Sequence, residues 1–553
     1  MNIEYDTIKS ITDLKDMITR SRADYKDRTA FRIKTGSGSF REVTYEEYAG
    51  EVDRLGTALT GLGLQGKHIA ILSENRYEWV VAYLSVINGV GVVVPISRDL
   101  NETELAYVLE AGDVGAVICS AGYAGTIKNL NLPAIAWIIS FDSKEPDAKG
   151  ILSYRTVLAQ GQALLDGGNR LYLDAKIDPA ALASILFTSG TTGLSKGVML
   201  SHKNIAAVIN GTACIVKFDE RTVLLSTLPY HHAFECIRGL MSALNYGVII
   251  CINDSLKYFS KNLLLFKPES LFLAPAIIYG IHRRIKDAEK KKGAPLTREE
   301  ARETFGGNIK KIFSGSAPLK VELIEEFERY GVALCQGYGL TETAPTVTTT
   351  RYTLLNARNK NTVGQVIPGC EVKIVAGEIW VKGDNVMLGY YKNPEATAAA
   401  FVEERVIGEA GALETARWFK TGDLGFMDDD GFLYINGRKK NVIIGSGGEN
   451  VYPEEIERAL SEISAIAEVL VYGGDRGEQN IVTAVIYPNM QGGELAGKSD
   501  AAIKEYLKQA VAKVNEGLPL YKQVVAIKIR KIPFEKTANN KIKRNEENTK
   551  EIS

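Results

Sequence analysis

The sequence contains few of the residues that build disulfide frameworks or metal cages. Its 553 residues include six cysteines, scattered without a CxxC pair, and five histidines, of which only two are adjacent. Scattered cysteines are typical of reduced thiols in a cytosolic protein, and so sparse a ligand set argues against a zinc site. We therefore expect neither a disulfide-linked fold nor a metal cage of cysteines and histidines.

An excess of charge of either sign is also absent. The chain has 66 Lys and Arg against 67 Asp and Glu, which gives a net charge of −1. No global field directs it to nucleic acid or to an anionic surface, and we expect no nucleic-acid partner. The hydrophobic fraction of 45% and the charged fraction of 24% are ordinary for a soluble globular protein.

A signal peptide and a long unbroken apolar segment are missing as well. Residues 1–15 lack the apolar core and the small-residue cleavage site of a secretory signal. The most apolar run, 79–96, is about long enough to cross a bilayer, but Asn88, Gly89 and Gly91 interrupt it. We predict a buried helix followed by a buried strand, and a cytoplasmic protein, with an association at the inner face of the membrane left open.

Apolar runs alternate with amphipathic runs through the first 330 residues. Strands of continuous Val and Ile, separated by helix-length segments, indicate parallel sheets that are covered on both faces. The fold class predicted is α/β, with a large N-terminal domain of parallel-rich sheets packed with helices. The predicted strands are 68–72, 91–96 and 114–120, and the predicted helices are 77–87 and 102–111.

The pattern changes near residue 370, where short strands are joined by Gly and Asp turns. This change predicts a β-rich subdomain at about 360–437, within an N-terminal domain of 1–437. Pro453 followed by two acids is typical of a helix start. Helix and strand patterns then continue, which predicts a small, mobile α+β C-terminal domain at 438–553.

A glycine-rich loop is the strongest local signal. Residues 188–197 read Thr-Ser-Gly-Thr-Thr-Gly-Leu-Ser-Lys-Gly, and apolar runs at 183–187 and 198–200 flank them. Glycines let backbone N–H groups turn inward around an anion, and hydroxyls and Lys196 add donors suited to a triphosphate. A Walker A loop is excluded because Ser195 precedes the lysine, Gly197 follows it, and a strand, not a helix, comes next.

Further motifs follow in a fixed order and cover most of the chain. These segments are Leu-Pro-Tyr-His-His-Ala-Phe-Glu (228–235), Leu-Phe-Leu-Ala-Pro (271–275), Ser-Gly-Ser-Ala-Pro-Leu (314–319), Gln-Gly-Tyr-Gly-Leu-Thr-Glu-Thr (336–343), Trp-Phe-Lys-Thr-Gly-Asp-Leu (418–424), Tyr-Ile-Asn-Gly-Arg-Lys-Lys-Asn (434–441), Ser-Gly-Gly-Glu-Asn-Val-Tyr-Pro (446–453) and Lys-Thr-Ala-Asn-Asn-Lys-Ile-Lys-Arg (536–544).

Together with the glycine-rich loop, these segments resemble the adenylate-forming superfamily of acyl-CoA synthetases, peptide-synthetase adenylation domains and luciferases. The form of 228–235 is similar to that of bacterial long-chain fatty acid–CoA ligases. The resemblance implies that ATP activates a fatty acid as acyl-AMP with release of pyrophosphate, and that the acyl group then passes to the thiol of coenzyme A. It implies ATP, Mg²⁺ and coenzyme A as the molecules bound.

The resemblance also implies residue roles. Lys541, Thr341, Glu342 and His232 would act in catalysis, with Glu342 also the ligand of Mg²⁺ and Lys440 the hinge between domains. An aromatic ring such as that of Tyr338 can stack on a purine. The implied nucleotide and co-substrate contacts are Thr188, Ser189, Gly190, Thr191, Thr192, Lys196, Gly315, Ser316, Gly337, Tyr338, Gly339, Asp423, Arg438, Gly447 and Gly448.

Three positions depart from the family pattern. Ser195 stands where proline is commoner, and Asn540 stands where a glycine usually precedes the C-terminal lysine. Asn tolerates left-handed backbone geometry better than most residues, so a turn can survive at Asn540. Asn441 replaces a common aspartate, which puts the local hydrogen bonding of the hinge in question.

Several alternatives stay open. The acceptor could be a carrier protein, the acid could be short, aromatic or an amino acid, and a silent binding protein is a third class. A nicotinamide dehydrogenase is disfavoured because no GxGxxG follows the first strand. The basic run 283–292 is either a solvated helix end or a peripheral membrane contact. A homodimer is also left open.

Overall fold

The protein is described by a computed structural model. The residues that it describes are 8, 10–36, 38–144, 150–188, 195–216, 218, 221–315, 319–351, 361–407, 413–444, 449–476, 479–490, 494–536 and 542–550.

Strands are distributed along the whole described chain. In chain order they are β1 Thr29–Gly36, β2 Ser39–Thr44, β3 His68–Leu72, β4 Val92–Pro95, β5 Val114–Cys119, β6 Trp137–Ser140, β7 Ile151–Ser153, β8 Leu182–Thr188, β9 Lys196–Ser201, β10 Val223–Ser226, β11 Ile249–Ile252, β12 Ser270–Leu273, β13 Lys311–Ser314, β14 Ala333–Tyr338, β15 Thr348–Thr349, β16 Gln365–Val366, β17 Cys370–Val375, β18 Glu378–Gly383, β19 Gly389–Tyr390, β20 Phe401–Ile407, β21 Leu413–Met427, β22 Leu433–Arg438, β23 Ile443–Ile444, β24 Asn450–Val451, β25 Ile466–Arg476, β26 Gln479–Pro488 and β27 Ala526–Ile529.

Helices fill the connections between strands. The α-helices are α1 Leu14–Tyr25, α2 Tyr45–Gly61, α3 Tyr77–Ser85, α4 Glu102–Ala111, α5 Ala121–Asn129, α6 Tyr154–Asp166, α7 His202–Ala213, α8 Ser242–Asn245, α9 Phe259–Phe266, α10 Pro275–Lys292, α11 Arg298–Glu303, α12 Val321–Arg329, α13 Pro394–Ala400, α14 Pro453–Leu460 and α15 Asp500–Asn515. Two segments, Val86–Val90 and Phe234–Met241, are π-helical, and short 3₁₀ turns include Thr341–Thr343 and Lys439–Asn441.

The chain divides into two compact units. The first comprises 1–372, 381–419 and 428–433, and the second comprises 373–380, 420–427 and 434–553. Strands β17, β18, β21 and β22 are therefore shared between the two. The domain boundary predicted at 437 stays a prediction.

Two large sheets organise the first unit. One has the order β16-β15-β14-β13-β12-β10-β11-β1-β2, and the other has the order β19-β9-β8-β4-β3-β5-β6-β7. The strands from β10 to β14 that neighbour one another are parallel, as are β3, β4, β5 and β6. The α/β fold class predicted from continuous Val and Ile strands is therefore confirmed.

Local sequence accounts for several element boundaries. Helix α4 starts after Asn101, whose side chain accepts a hydrogen bond from the Glu104 N–H at 2.9 Å. The Glu104 carboxylate in turn accepts a hydrogen bond from the Asn101 N–H at 3.1 Å. The helix predicted over 77–87 begins at Tyr77, but its α-helical part ends at Ser85. The backbone then leaves helical geometry at Asn88 and Gly89, and the φ of 145° at Gly89 favours glycine.

The second unit contains small sheets with their own core. Strands β25, β26 and β27 form one sheet, and β23 pairs with β24. A five-stranded sheet in the order β17-β18-β21-β20, with β22 beside β21, carries the segments shared with the first unit. Helices α14 and α15 contribute buried Ile456, Leu460 and Leu507 to the core of the second unit.

Membrane contact has no further support in the described helices. Within those residues, no helix combines the length and the hydropathy that a bilayer crossing requires. In the basic run 283–292 on α10, Lys286 pairs with Glu289 at 3.0 Å and Lys292 pairs with Glu300. Peripheral membrane association and a homodimer both stay predictions.

Close helix packing depends on glycine at one crossing. Helices α2 and α6 pack together in the first unit, and a Cβ added to Gly161 of α6 would lie 1.9 Å from the Arg54 carbonyl oxygen of α2. Gly125 of α5 has nothing within 4 Å of its added Cβ. The two glycines are therefore a matched pair, one required by packing and one not.

We expect Gly161→Ala to lower the free energy of unfolding by about 1–3 kcal/mol, because α2 and α6 must move apart. Gly125→Ala is the control, and we expect it to be neutral or stabilising by up to about 1 kcal/mol, since alanine favours helix. Urea unfolding followed by circular dichroism measures both. Equal effects of the two substitutions would contradict the packing argument.

Candidate active site

The glycine-rich loop joins two antiparallel strands. Thr188 at the end of β8 pairs with Lys196 at the start of β9, and the Thr188 hydroxyl donates to the Lys196 carbonyl at 3.4 Å. The described residues that flank the loop are therefore paired strands, as predicted. Ser189, Gly190, Thr191 and Thr192 lie outside the described residues, so their predicted contacts stay predictions.

A third strand fixes the position of Lys196. Strand β19 pairs antiparallel with β9, and the Tyr391 N–H donates to the Gly197 carbonyl at 2.8 Å. Gly197 allows this packing, because an added Cβ would lie 2.8 Å from Ile185 and 3.4 Å from Tyr391. The Lys196 ammonium lies 5.2 Å from the centre of the Tyr390 ring, within the range of a cation–π contact.

Tyr390 also reaches the predicted metal ligand. Its hydroxyl donates to Oε1 of Glu342 at 2.9 Å, while the Met387 N–H donates to the Glu342 carbonyl at 2.9 Å. Lys196, Tyr390 and Glu342 therefore form one contiguous cluster from three distant segments. Tyr390 was missed by the sequence analysis, because nothing local indicates that a two-residue strand pairs with β9.

The turn that holds Thr341 and Glu342 is tightly constrained. The Leu340 N–H donates to the Thr343 hydroxyl at 2.9 Å, which caps a single 3₁₀ turn. Gly339 is required just before it, since an added Cβ would lie 1.8 Å from the Pro345 carbonyl oxygen. Both Thr341 and Glu342 are half-buried, so their side chains remain accessible.

Strand β14 and the loop after β13 lie side by side. Tyr338 pairs with Thr348 in the backbone register, and its ring is half-buried. The buried Gln336 side chain accepts a hydrogen bond from the Leu319 N–H at 2.9 Å, which holds the end of the 314–319 loop against β14. Gly315 is buried beside the Phe234 ring, while Ser316 lies outside the described residues.

The paired histidines lie in the segment after β10. The rings of His231 and His232 are 4.1 Å apart, and the His232 N–H donates to the Pro229 carbonyl at 3.1 Å. Burial, followed by the charges of His232 and Arg98, holds the pKa of His231 well below its usual value. His231 is therefore a neutral side chain at physiological pH, suited to hydrogen bonding but not to charge neutralisation.

Asp423 and Arg438, both in the second unit, pair with each other. Arg438 Nε donates to Asp423 Oδ1 at 2.6 Å, and the Asp423 side chain is only 6% exposed while that of Arg438 is 42% exposed. The Thr421 hydroxyl accepts from the Asp423 N–H at 3.0 Å and donates to the Ile379 carbonyl at 2.7 Å. The carboxylate is therefore rigidly placed, and the guanidinium extends towards solvent.

The predicted hinge lies in a short 3₁₀ turn, Lys439–Asn441. Burial, together with the nearby Arg438 and Arg544 cations, lowers the pKa of Lys440. The Asn441 amide donates to Glu454 Oε1 at 2.6 Å. The departure from the family aspartate thus has a physical reason, because an aspartate here would face the Glu454 carboxylate directly.

The last two motifs lie largely outside the described residues. Gly447, Gly448 and Lys541 fall there, and their predicted roles stay predictions. The described residues on either side of Lys541 are held in place: Lys536 forms a β-bridge with Ile542, and Arg544 pairs with Glu457 at 2.7 Å. Across the described part of the chain, no group of three or more His, Cys, Asp or Glu side chains is arranged to hold a metal ion.

The side chain of Glu235, three residues after His232, is a buried carboxyl group. It is fully buried, and its Oε1 accepts a hydrogen bond from the Ser226 hydroxyl. Burial raises the pKa of Glu235 from an ordinary 4.5 to about 8, although hydrogen bonds from Ser226 and from the Thr227 and Leu228 backbone oppose the shift. Glu235 is consequently protonated in the folded protein at neutral pH.

We expect this group to make the folded state less stable as the pH rises. Because the folded pKa is raised, the contribution of Glu235 is complete below pH 4.5 and is lost between about pH 4.5 and 8. The slope should approach about 1.4 kcal/mol per pH unit. Glu235→Gln should abolish it, as measured by urea unfolding of both proteins from pH 5 to 8.5. Parallel stability curves for the two would refute the assignment.

Two family models match most of the chain. The AMP-binding enzyme family matches residues 18–391, and the AMP-binding enzyme C-terminal domain matches residues 440–550. A long-chain-fatty-acid–CoA ligase of Bacillus subtilis is 30% identical over 83% of this chain and 82% of its own length. An indoleacetate–CoA ligase of Aromatoleum aromaticum is 28% identical over 86% of this chain and 88% of its own length.

A solved structure shares the fold. The o-succinylbenzoate CoA synthetase of Bacillus subtilis, in complex with its acyl-adenylate intermediate, aligns with a TM-score of 0.75 and 21% identity. The alignment covers 96% of this chain and 97% of that chain. At this identity the likeness concerns the fold alone.

Proposed function

The chain belongs to the AMP-binding enzyme family, and on that premise we propose that it is an ATP-dependent acid–coenzyme A ligase acting on a fatty acid. A carboxylate oxygen attacks the α-phosphorus of ATP, and the bond to pyrophosphate breaks, which leaves acyl-AMP. The sulfur of coenzyme A then attacks the acyl carbon, and AMP leaves. The observation that carries the proposal is the cluster of Lys196, Tyr390 and Glu342, with Thr341 beside it.

Charge neutralisation explains this cluster. An anionic carboxylate must approach an anionic triphosphate, so the site needs fixed positive charge and hydrogen-bond donors. Lys196 lies at the mouth of the β8–β9 hairpin, and we assign it, with Thr188, Ser189, Gly190, Thr191 and Thr192, to the departing β- and γ-phosphates. Thr341 is assigned to the α-phosphate.

The residues present fit Mg²⁺. This ion takes one or two carboxylates and fills its other positions with water and phosphate oxygens. Glu342 offers one half-buried carboxylate, and the Tyr390 hydroxyl bound to Oε1 orients it. When bound, Mg²⁺ supplies charge that stabilises the transferring phosphoryl group.

The remaining nucleotide contacts follow the same assignment. We assign the adenine to the half-buried Tyr338 ring and the loop residues Gly315, Ser316, Gly337 and Gly339. Asp423 is assigned to the ribose hydroxyls, since a carboxylate can accept from two hydroxyls at once. Arg438, a planar donor held at 2.6 Å from Asp423, is assigned to the ribose and phosphate.

The acid side of the reaction is assigned to the segment 228–235 and its neighbours. His232 lies beside a neutral His231, and the Phe234 and Phe272 rings, 5.5 Å apart, form an apolar surface nearby. Such a surface suits methylene groups, each worth about 0.8 kcal/mol when buried. The alternatives are a carrier-protein acceptor and a shorter or aromatic acid. The similarity to an indoleacetate–CoA ligase supports the aromatic acid as an alternative.

Two steps require two arrangements of the C-terminal residues. We assign Lys541 to adenylation, Lys440 to the hinge, and Gly447 and Gly448 to the channel for the coenzyme A thiol. Lys541 would neutralise charge in the first step. A hinge motion would then withdraw it and make room for the thiol in the second step, as in other enzymes that close about a hinge.

We expect Glu342→Gln to lower ATP–pyrophosphate exchange by roughly 10²–10³-fold, because the developing charge loses its compensation. Tyr390→Phe should lower exchange by about 10–100-fold, the value of one hydrogen bond to a charged group. Both should raise the Mg²⁺ concentration needed for half-maximal exchange. Exposed Glu395→Gln is the control for loss of charge. An unchanged Mg²⁺ requirement in Glu342→Gln would contradict the assignment.

The decisive experiment separates the two half-reactions. We expect Lys541→Ala to abolish pyrophosphate exchange yet leave transfer from preformed acyl-AMP to coenzyme A largely intact, and Lys440→Pro to do the reverse. Exposed Lys543→Ala should affect neither. Thioester formation is measured once with coenzyme A and once with a carrier protein, and the comparison identifies the acceptor. Equal loss of both half-reactions in Lys541→Ala would refute the two-arrangement mechanism.

A further inference from the structure

Arg238 is a buried cation inside the first unit. It lies on the π-helical segment Phe234–Met241 and is only 3% exposed. Its guanidinium carbon is 5.6 Å from the centre of the Phe272 ring and 5.7 Å from that of Phe313. Two aromatic faces therefore hold the planar group in place.

Among the residues that the structure describes, no acidic side chain forms an ion pair with this cation. Burial lowers the pKa of Arg238 to about 10, and the groups that oppose the shift are Tyr246 and Cys335, neither of them a carboxyl group. Arg238 is still charged at neutral pH. The equally buried Arg530, in the second unit, instead donates hydrogen bonds to the Ile532 and Glu547 carbonyls. Buried charges are normally paired, so an uncompensated guanidinium at this depth requires an explanation.

The neighbouring carboxyl group does not serve as that partner. Glu235, three residues earlier, directs Oε1 to the Ser226 hydroxyl and is protonated at neutral pH. Its carboxyl group also lies against Gly239, where an added Cβ would be 3.2 Å from its carbon. The two buried groups are therefore separate features of one helix.

The location of Arg238 connects it to the acid site. Phe272 and Phe313 are register partners on the parallel strands β12 and β13, at their carboxyl ends. Gly315 follows β13, and an added Cβ there would lie 3.1 Å from the ring of Phe234, one helical turn before Arg238. In α/β sheets, ligands bind at the carboxyl ends of the strands. The segment 228–235, which ends three residues before Arg238, and Phe272 beside Arg238 are those assigned above to the acid.

We propose that Arg238 binds a second carboxylate of the acid substrate, so that the preferred substrates are α,ω-dicarboxylic acids. This inference rests on the proposed function and narrows its substrate class. The planar fork of a guanidinium matches a carboxylate with two parallel hydrogen bonds. Apolar neighbours such as Phe234 accommodate the methylene chain between the two carboxylates, and the pair replaces the missing internal partner of Arg238.

The burial of the Arg238 guanidinium also explains why the site would discriminate between diacids and monoacids. An acid with an unsubstituted chain would leave the buried guanidinium without an acceptor. Sites built to bind a polar substrate group reject analogues that lack it by up to about 10⁴–10⁵-fold. The proposal therefore predicts selection against ordinary fatty acids of the same length.

The test compares acids that differ in one group only. ATP–pyrophosphate exchange is measured with α,ω-dicarboxylic acids of graded length, their monomethyl esters and monocarboxylic acids of equal carbon number. We expect kcat/KM of the wild-type protein to favour the diacid by at least about 100-fold at the best length. Arg238→Met should remove or invert this ratio, and Arg238→Lys, which keeps the charge and loses the fork, should give an intermediate value. Arg283→Met, on an exposed arginine of α10, is the matched control.

Direct binding of the diacid and the monoacid, measured by calorimetry, separates this inference from the proposed function. Diacid binding that Arg238→Met abolishes, without any exchange, would support the role of Arg238 and contradict the ligase. Exchange with monoacids as good as with diacids in the wild type would keep the ligase and overturn the diacid assignment. Absence of binding by every acid would overturn both. If Arg238→Met fails to fold, the wild-type ratio of diacid to monomethyl ester decides.

Discussion

Pairing of the two-residue strand Gly389–Tyr390 with β9 is the constraint on which the candidate phosphate site depends. It places one tyrosine against a lysine at the start of β9 and a glutamate from the turn after β14. Lys196 and Glu342 are 146 positions apart along the chain, and Glu342 and Tyr390 are 48 positions apart. Gly197 permits the approach, because a side chain there would collide with Ile185. Without this short strand, Lys196 and Glu342 would lose Tyr390, the residue that contacts both of them.

Burial has a different effect on the charge of each of three ionisable side chains in the interior of the first unit. His231 is neutral because burial lowers its pKa, and Glu235 is neutral because burial raises its pKa. Arg238, on the same segment, keeps its charge despite burial. Of these three groups, only Arg238 is charged at neutral pH, and it lies beside Phe272 and Phe313 near the carboxyl ends of β12 and β13. A buried cation beside aromatic rings is complementary to an anion, which is the basis of the substrate class proposed for this site.

Local structure was largely predictable from the sequence. Strand β3 and helix α4 have the predicted bounds, because periodic apolar residues and end-capping side chains act over a few positions. Motif order gave Glu342 and Lys196 as candidates. Tyr390 could not be found in this way, since its importance comes from a strand pairing that no local pattern encodes. Arg238 was also missed, because an arginine on a helix ordinarily indicates a solvated face.

Asn441 illustrates how one substitution constrains another. Its amide donates to Glu454, whose carboxylate also lies 2.8 Å from the position of a Cβ added to Gly437. An aspartate at 441 would bring two negative charges together at about hydrogen-bond distance, which costs free energy unless one of them is protonated or removed. Positions 441 and 454 are therefore coupled: an aspartate at the first is better tolerated when the second carries no acid.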